Sequence, residues 1–170
     1  MRREPRAELR RLARDLAFSG DLADEHARWA LYQKALQHGA LEPLFRAVAD
    51  DSDHVMAGGA VVVALELVPP VERARWVGLT SDWTVANFVA RRAAELAILE
   101  SVSGAVAASG GELRSLGDGL DVECWSDWLQ LRAASSATRA DVLDALAGGG
   151  RTRRIRYAAA ANRGRSGGAG

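Results

Sequence analysis

The sequence predicts an all-α protein, and more specifically a short α-solenoid built from stacked helix pairs. Three observations support this prediction: several segments carry apolar residues at helical spacing, capping residues precede them, and part of the chain repeats at a fixed offset. The chain has 170 residues, and 48% of them are hydrophobic, which is enough for a real core. Alanine is abundant, which favours helix over strand.

The first quarter of the chain reads as three consecutive helices. Residues 5–18 carry their leucines on one helical face. Asp24 is placed to cap a second helix, which closes near residues 38–39. A third apolar stripe begins at Leu41, with Pro43 in the first turn, where proline is compatible with a helix.

Residues 55–68 are apolar almost all round, a pattern typical of a buried helix. The valine run at 61–63 is equally compatible with a strand, because periodicity does not separate two fully buried elements. The length of the segment and the repeat described below favour a helix. The glycine pair at 58–59 costs helix stability, so it predicts a close approach by a neighbouring helix.

The prolines at 69–70 are expected to end the preceding helix. Three helices are predicted after them, and the second and third have capping residues. A short helix is expected over residues 71–78. Ser81-Asp82 is then predicted to cap a long helix, because Ser and Asp accept hydrogen bonds from first-turn amides. Ser126-Asp127, in the same Ser-Asp-Trp setting, is predicted to cap another helix.

The C-terminal part contains two more predicted helices. Thr138 with Asp141 fits a capping box that opens the first of them. The glycines at 148–150 end that helix, and a basic helix is expected from about residue 152 to residue 162.

The predicted organisation is a single helical-repeat domain over residues 1–162. An irregular loop is expected near residues 103–121, which are rich in glycine and serine. Residues 163–170 are expected to form a disordered Gly/Arg tail.

The chain matches itself at an offset of 29 residues. Two sets of three residues align under this offset: Asp24, Asp53 and Asp82, and Ala35, Ala64 and Ala93. Each unit is then a short helix followed by a longer, capped helix. Neither helix buries its apolar face alone, so stacking of neighbouring units completes the core. An irregular helical bundle and a mixed α/β fold around the valine run are the alternatives.

Two parts of the chain resemble known helical-repeat families. Residues 126–134 with their continuation to 147, and then residues 154–162, resemble units of the leucine-rich repeat variant family. The 29-residue units over residues 24–99 resemble short bacterial HEAT-like repeats. Both resemblances imply a curved α-solenoid that binds a partner, and neither implies a shared catalytic residue.

Charge is unevenly distributed along a chain whose net charge is zero. Residues 1–15 carry a net +3 and residues 151–170 a net +6, so the residues between them carry −9. Four C-terminal arginines form a candidate site for an anionic partner: Arg151, Arg153, Arg154 and Arg156. They are either a solvated capping face, a contact for acidic protein or for a second copy, or a contact for phosphates. The acidic middle argues against nucleic acid.

The sequence contains no nucleotide-binding loop, nucleophile elbow or metal-ligand spacing, so no catalysis, metal or cofactor is expected. Cys124 is the only cysteine, which excludes an internal disulfide. No apolar run is long enough to cross a bilayer, and we therefore expect a cytoplasmic protein without membrane association.

Five tryptophans are the most distinctive side chains. Tryptophan at the start of a repeat is usually part of the core, yet Trp83 and Trp128 directly follow a predicted cap, at the edge of their units. Exposed tryptophan and arginine are common anchors of protein interfaces. The candidate contacts with a protein partner are Trp83, Asn87, Trp128 and Arg132.

The expected function is a non-catalytic protein-interaction module that acts as a scaffold, adaptor or inhibitor. An immunity-type protein that neutralises a toxin is one alternative, by analogy with small acidic solenoid-like proteins. Nucleic-acid binding through the arginine-rich ends is the other alternative.

Overall fold

The computed structural model describes residues 7–104 and 121–167, and every regular element in these two ranges is helical. The α-helices of this part of the chain are α1 (Ala7–Asp15), α2 (Glu25–Gln37), α3 (Leu41–Asp50), α4 (His54–Leu67), α5 (Pro70–Leu79), α6 (Ala86–Val102), α7 (Asp127–Ser136), α8 (Ala140–Gly149) and α9 (Arg153–Gly167). One turn of 3-10 helix covers Val122–Cys124. The prediction of an all-α fold is therefore confirmed for the described residues.

Three sequence predictions fall partly outside the described ranges. They are the start of the first helix at residue 5, most of the loop near 103–121, and the last three residues of the predicted tail. The chain divides into two compact units, residues 1–94 and 95–170, with the boundary inside α6.

In the first unit, each of the helices α1 to α4 packs against the helix that follows it. Helix α1 also packs against α3, and α2 against α4. The large side chains that are fully buried in this unit come from five different helices: Leu12, Leu31, Tyr32, Leu44, Val48, Val61, Leu65 and Trp76. The core is therefore built from the inward stripes of successive helices, as expected for amphipathic elements.

Two caps of the predicted repeat are present. Asp24 accepts a hydrogen bond from the backbone N–H of His26 at 3.2 Å, and Asp53 accepts one from Met56 at 3.1 Å. These two N-caps begin α2 and α4, 29 residues apart. The valine run is helical, so the alternative of a strand at this segment is wrong.

The predicted cap at Ser81-Asp82 is wrong, because α6 begins at Ala86. Residues 80–85 form turns instead, in which the N–H of Trp83 donates to the carbonyl of Thr80 and the N–H of Ala86 to that of Trp83. Contacts of Trp83 and Val85 with α4 hold these turns. Local capping preference is therefore overridden by packing at this position.

Of the two later caps, the one at Ser126-Asp127 is confirmed for its serine, and the one at Thr138 is absent. Ser126 alone caps α7, since its Oγ accepts from the N–H of Leu129 at 3.2 Å, whereas Asp127 is the first helical residue. The capping box at Thr138 is wrong: Arg139 precedes α8 and makes no side-chain cap. Thr138 instead donates its backbone N–H to the carbonyl of Val102 at 3.0 Å, because this connection returns along the end of α6.

In the second unit, α7, α8 and α9 pack against one another around a single apolar cluster. The large members of this cluster are Val102, Val122, Trp125, Leu129, Val142, Leu143, Leu146 and Ile155. Helix α9 extends to Gly167, five residues beyond the predicted end at 162. Glycine at two of these five positions disfavours helix, but Arg163 pairs with Asp144 of α8 at 3.0 Å, which holds this turn against its neighbour.

Candidate binding surface

Helix α4 exposes one apolar side to solvent. Val55, Val63 and Leu67 are 68%, 40% and 51% exposed. At 3.6 residues per turn they fall within about 120° of the helix circumference, an arc that also contains the exposed Glu66. We call these three residues the α4 apolar face. Val71, at the start of α5, follows within four residues and is 87% exposed. The prediction that α4 is buried on all sides is therefore wrong.

The opposite side of α4 is fully buried and consists mainly of small side chains: Ala57, Gly58, Ala60, Val61, Ala64 and Leu65. Small residues let α2, α3 and the turn before α6 approach closely. The helix that the glycine pair predicted is met at Gly59, which faces Trp29 of α2, whereas Gly58 faces Val85 of the turn. A Cβ on Gly58 would lie 2.5 Å from Cγ2 of Val85, so this position tolerates only glycine without a shift. The neighbouring elements cover one side of α4, and the apolar face is the side that they leave open.

A buried polar network fixes the N-terminus of α4. The hydroxyl of Tyr32 donates to Asp51 at 2.6 Å, and the guanidinium of Arg28 lies 3.5 Å from the same carboxylate and 3.4 Å from that of Asp53. Burial, followed by the hydrogen bond to Asp51, raises the pKa of Tyr32 far above its ordinary value. The hydroxyl therefore stays protonated and donating, and the start of the apolar face is held against α2.

Trp83 and Asn87 lie in the first unit, and Trp83 packs against the start of α4 on a different side from its apolar face. The Trp83 ring is half-buried and stacks on His54, with centroids 4.6 Å apart and planes 9° from parallel. Asn87 is exposed in the first turn of α6. Trp83 is thus neither a fully buried core residue nor a free anchor.

Trp128 and Arg132 belong to the second unit and lie one turn apart on α7. The guanidinium carbon of Arg132 is 5.5 Å from the centre of the Trp128 ring, within the range of a cation–π contact. The ring is half-buried and the arginine is exposed. Helix α7 has ten residues, so these two candidates do not lie on one of the longer helices.

The four candidate arginines of the C-terminal region have different surroundings. Arg151 holds the start of α7: its guanidinium binds Asp127 and donates to the carbonyls of Glu123 and Trp125 at 3.0 and 2.8 Å. Its backbone N–H donates to the buried Gln130 at 2.9 Å. Arg151 therefore has a structural role in this unit.

The other three arginines lie on α9. Arg156 donates to the carbonyl of Gly150 at 2.6 Å, whereas Arg153 and Arg154 are exposed in the first turn. The structure thus separates Arg151 from the remaining three.

A metal centre has no candidate among the described residues, where no group of three potential ligands is found. The Cys124 thiol is exposed and donates to Asp121 at 2.9 Å. This hydrogen bond, together with the carboxylate charge, raises the pKa of Cys124. A thiol that is kept protonated is a poor nucleophile.

Comparison of the chain with protein-family models, with curated proteins and with solved structures gives no match. In the ranges that the structure describes, no helix has the length and hydropathy needed to cross a membrane.

Sequence analysis missed the α4 apolar face as a candidate surface. The signal was present in residues 55–68, where Glu66 is the only charged side chain after His54. A helix that is apolar all round needs neighbours on every side. The short helices on either side of α4 in the sequence are too few to cover every side of it. Sequence patterns alone do not reveal this shortage of neighbours.

Proposed function

We propose that this chain is a non-catalytic protein-interaction module, a scaffold, adaptor or inhibitor, whose partner covers the α4 apolar face. The exposure of Val63 and Leu67, one turn apart, with Val55 about two turns before them, carries this proposal, because exposed apolar patches mark interaction sites. Covering these three residues and Val71 would contribute roughly 4–5 kcal/mol, from about 2 kcal/mol for each fully exposed side chain. That is enough to anchor a partner.

The packing of the first unit supports a HEAT-like solenoid as the scaffold of this surface. Helices α1, α3 and α5 have nine, ten and ten residues, whereas α2 and α4 have thirteen and fourteen. Short and long helices therefore alternate, and each of α1 and α2 packs on the next helix of its own kind. This alternation is what stacked helix pairs produce. Membership of the HEAT-like and leucine-rich repeat variant families is part of the proposal.

The residues chosen from the sequence stay in the proposal as secondary contacts. Trp83 and Trp128 keep part of their rings accessible, and Asn87 and Arg132 are exposed beside them. We also propose a cytoplasmic location, where the single free thiol of Cys124 stays reduced.

Site-specific photo-crosslinking tests the proposed contact. A benzophenone amino acid is placed at Leu67 in one variant and at Val63 in another, in cells that natively produce the chain. The matched control carries it at Ala49, which is exposed on α3 outside the apolar face. We expect one discrete adduct from both face positions and none from the control.

A second substitution then tests whether the yield of this adduct depends on the apolar contact. Val55→Ser in the Leu67 crosslinking variant leaves the folded core unchanged, because Val55 is exposed, but removes part of the apolar contact. We expect a weaker adduct at unchanged thermal stability. Adducts of equal yield from Ala49, or none from either face position, would contradict the proposal. An adduct with the mass of two copies would make the partner a second copy of this chain.

A further inference from the structure

Helix α9 exposes a basic face centred on an aromatic ring. Tyr157 is 79% exposed, and Arg153 and Arg154 lie one turn before it. Ala160, Ala161 and Gly164 follow on the same side, with Arg165 beyond them. The buried side of the helix carries Ile155, Ala159 and Asn162. We call the residues Arg153, Arg154, Tyr157 and Arg165 the α9 basic face.

The charge of this face is not paired by any residue in the described part of its unit. No acidic residue occurs in residues 151–170, and Arg153, Arg154 and Arg165 form no ion pair with any residue that the structure describes. Arg156, at one edge, donates to the carbonyl of Gly150, a partner that carries no opposing charge. The arginines in the first turn also add to the positive end of the helix dipole.

We propose that the α9 basic face docks an acidic helical segment of a protein partner. Arg156 lies on one flank of the exposed side, and Arg154 and Arg165 lie on the other. Charges on both flanks of a mostly uncharged seam are the arrangement by which paired helices select each other. Tyr157 fits the seam, since its ring buries area while its hydroxyl stays hydrated.

The same observations disfavour a nucleic acid as the occupant. A phosphate backbone is usually bound by a continuous basic stripe on a strongly basic domain. From Tyr157 to Gly164 the centre of this face carries no cation; Arg153 lies at its N-terminal end, and the other charges lie at its edges. The net charge of the chain is zero, so no long-range field attracts a polyanion.

This inference concerns residues of the second unit only and adds a contact to the proposed function. It fails or succeeds independently of the α4 apolar face, because the crosslinking positions and the peptide assay below use different residues.

A designed peptide serves as the probe. It is a fluorescein-labelled amphipathic helix with Glu on both flanks of an Ala-Leu seam, and its binding to the full chain is measured by anisotropy. We expect saturable binding that weakens as salt rises, because the flanking charges are screened. The double variant Arg154→Glu and Arg165→Glu should weaken it about tenfold, by repulsion of the glutamates. A peptide with Lys on the flanks should bind this variant better than the original chain.

A matched control and two competitors separate the possible outcomes. Arg11→Glu with Arg14→Glu on α1 changes the net charge equally and should leave binding unaltered. A scrambled peptide of identical composition should bind at least about tenfold more weakly, since the flanks are then misplaced. Equal binding of the scrambled peptide, no binding at all, or tighter binding of a DNA duplex through the same arginines would each overturn the proposal. Circular dichroism confirms that each variant folds.

Discussion

The hydroxyl of Tyr32 donates to the Oδ2 of Asp51 over 2.6 Å and so joins α2 to the connection between α3 and α4. Tyr32 is fully buried, and Asp51 is 8% exposed. Asp51 also accepts from the backbone N–H of Asp53 through its other oxygen at 2.9 Å. One side chain thus ends α3, supports the cap of α4 and anchors both to α2. The orientation of the α4 apolar face depends on this contact.

Replacement of Tyr32 by Phe should therefore destabilise the first unit. The substitution keeps the ring but leaves the buried carboxylate of Asp51 without one donor, which costs about 1–3 kcal/mol. Urea unfolding monitored by circular dichroism measures the change. Tyr157→Phe is the matched control, because its exposed hydroxyl makes no buried contact, and it should alter stability by less than about 0.5 kcal/mol. Equal changes in stability for the two substitutions would show that the hydrogen bond between Tyr32 and Asp51 does not stabilise the fold.

Stability should fall at high pH because of the same tyrosine. Burial and Asp51 raise the pKa of Tyr32 in the folded chain, whereas the unfolded side chain titrates near pH 10. Above about pH 10 the unfolded state therefore binds fewer protons than the folded state, and the free energy of unfolding decreases as pH rises. The Tyr32→Phe variant lacks this proton, so its stability should decline less steeply over the same range. Parallel pH profiles for the two proteins would show that the hydroxyl is not buried.

Adjacent glycines of α4 should respond to alanine with opposite signs. Gly58→Ala places a methyl group 2.5 Å from Cγ2 of Val85 and should cost about 1–3 kcal/mol through overpacking. Gly59→Ala places it 3.6 Å from the Trp29 ring, an ordinary contact, and should gain up to about 1 kcal/mol from helix propensity. Thermal unfolding of both variants measures the difference. Val85→Ala should restore most of the loss in the Gly58→Ala variant, and a lack of rescue would contradict the close approach.

The two Ser-Asp-Trp segments should differ under substitution, although their sequences are alike. Ser126→Ala removes the hydrogen bond that caps α7 and should cost about 1 kcal/mol. Asp82→Ala changes an exposed turn residue outside any helix and should alter stability by less than about 0.5 kcal/mol. Differential scanning calorimetry compares the two. A loss of about 1 kcal/mol for Asp82→Ala would indicate that Asp82 caps a helix, as the sequence predicted.

Local signals in the sequence determined the helical class of the described residues and the caps at Asp24, Asp53 and Ser126. Asp24 and Asp53 precede apolar stripes, and a side-chain oxygen at that position satisfies first-turn amides whatever the surroundings. Alanine content and helical spacing of leucines act in the same way, within a few residues of chain. Such short-range preferences are therefore readable without knowledge of the fold.

Only the tertiary structure decided which side of α4 faces solvent, where α6 begins and which arginines are used internally. Gly58 packs on Val85 and Trp83 stacks on His54, so the segment that a Ser-Asp cap favours as helix forms turns instead. Arg151 is held by groups that lie more than twenty residues away in sequence. These outcomes depend on contacts between distant residues, whose energies exceed a capping preference of about 1 kcal/mol and leave no local pattern in the sequence.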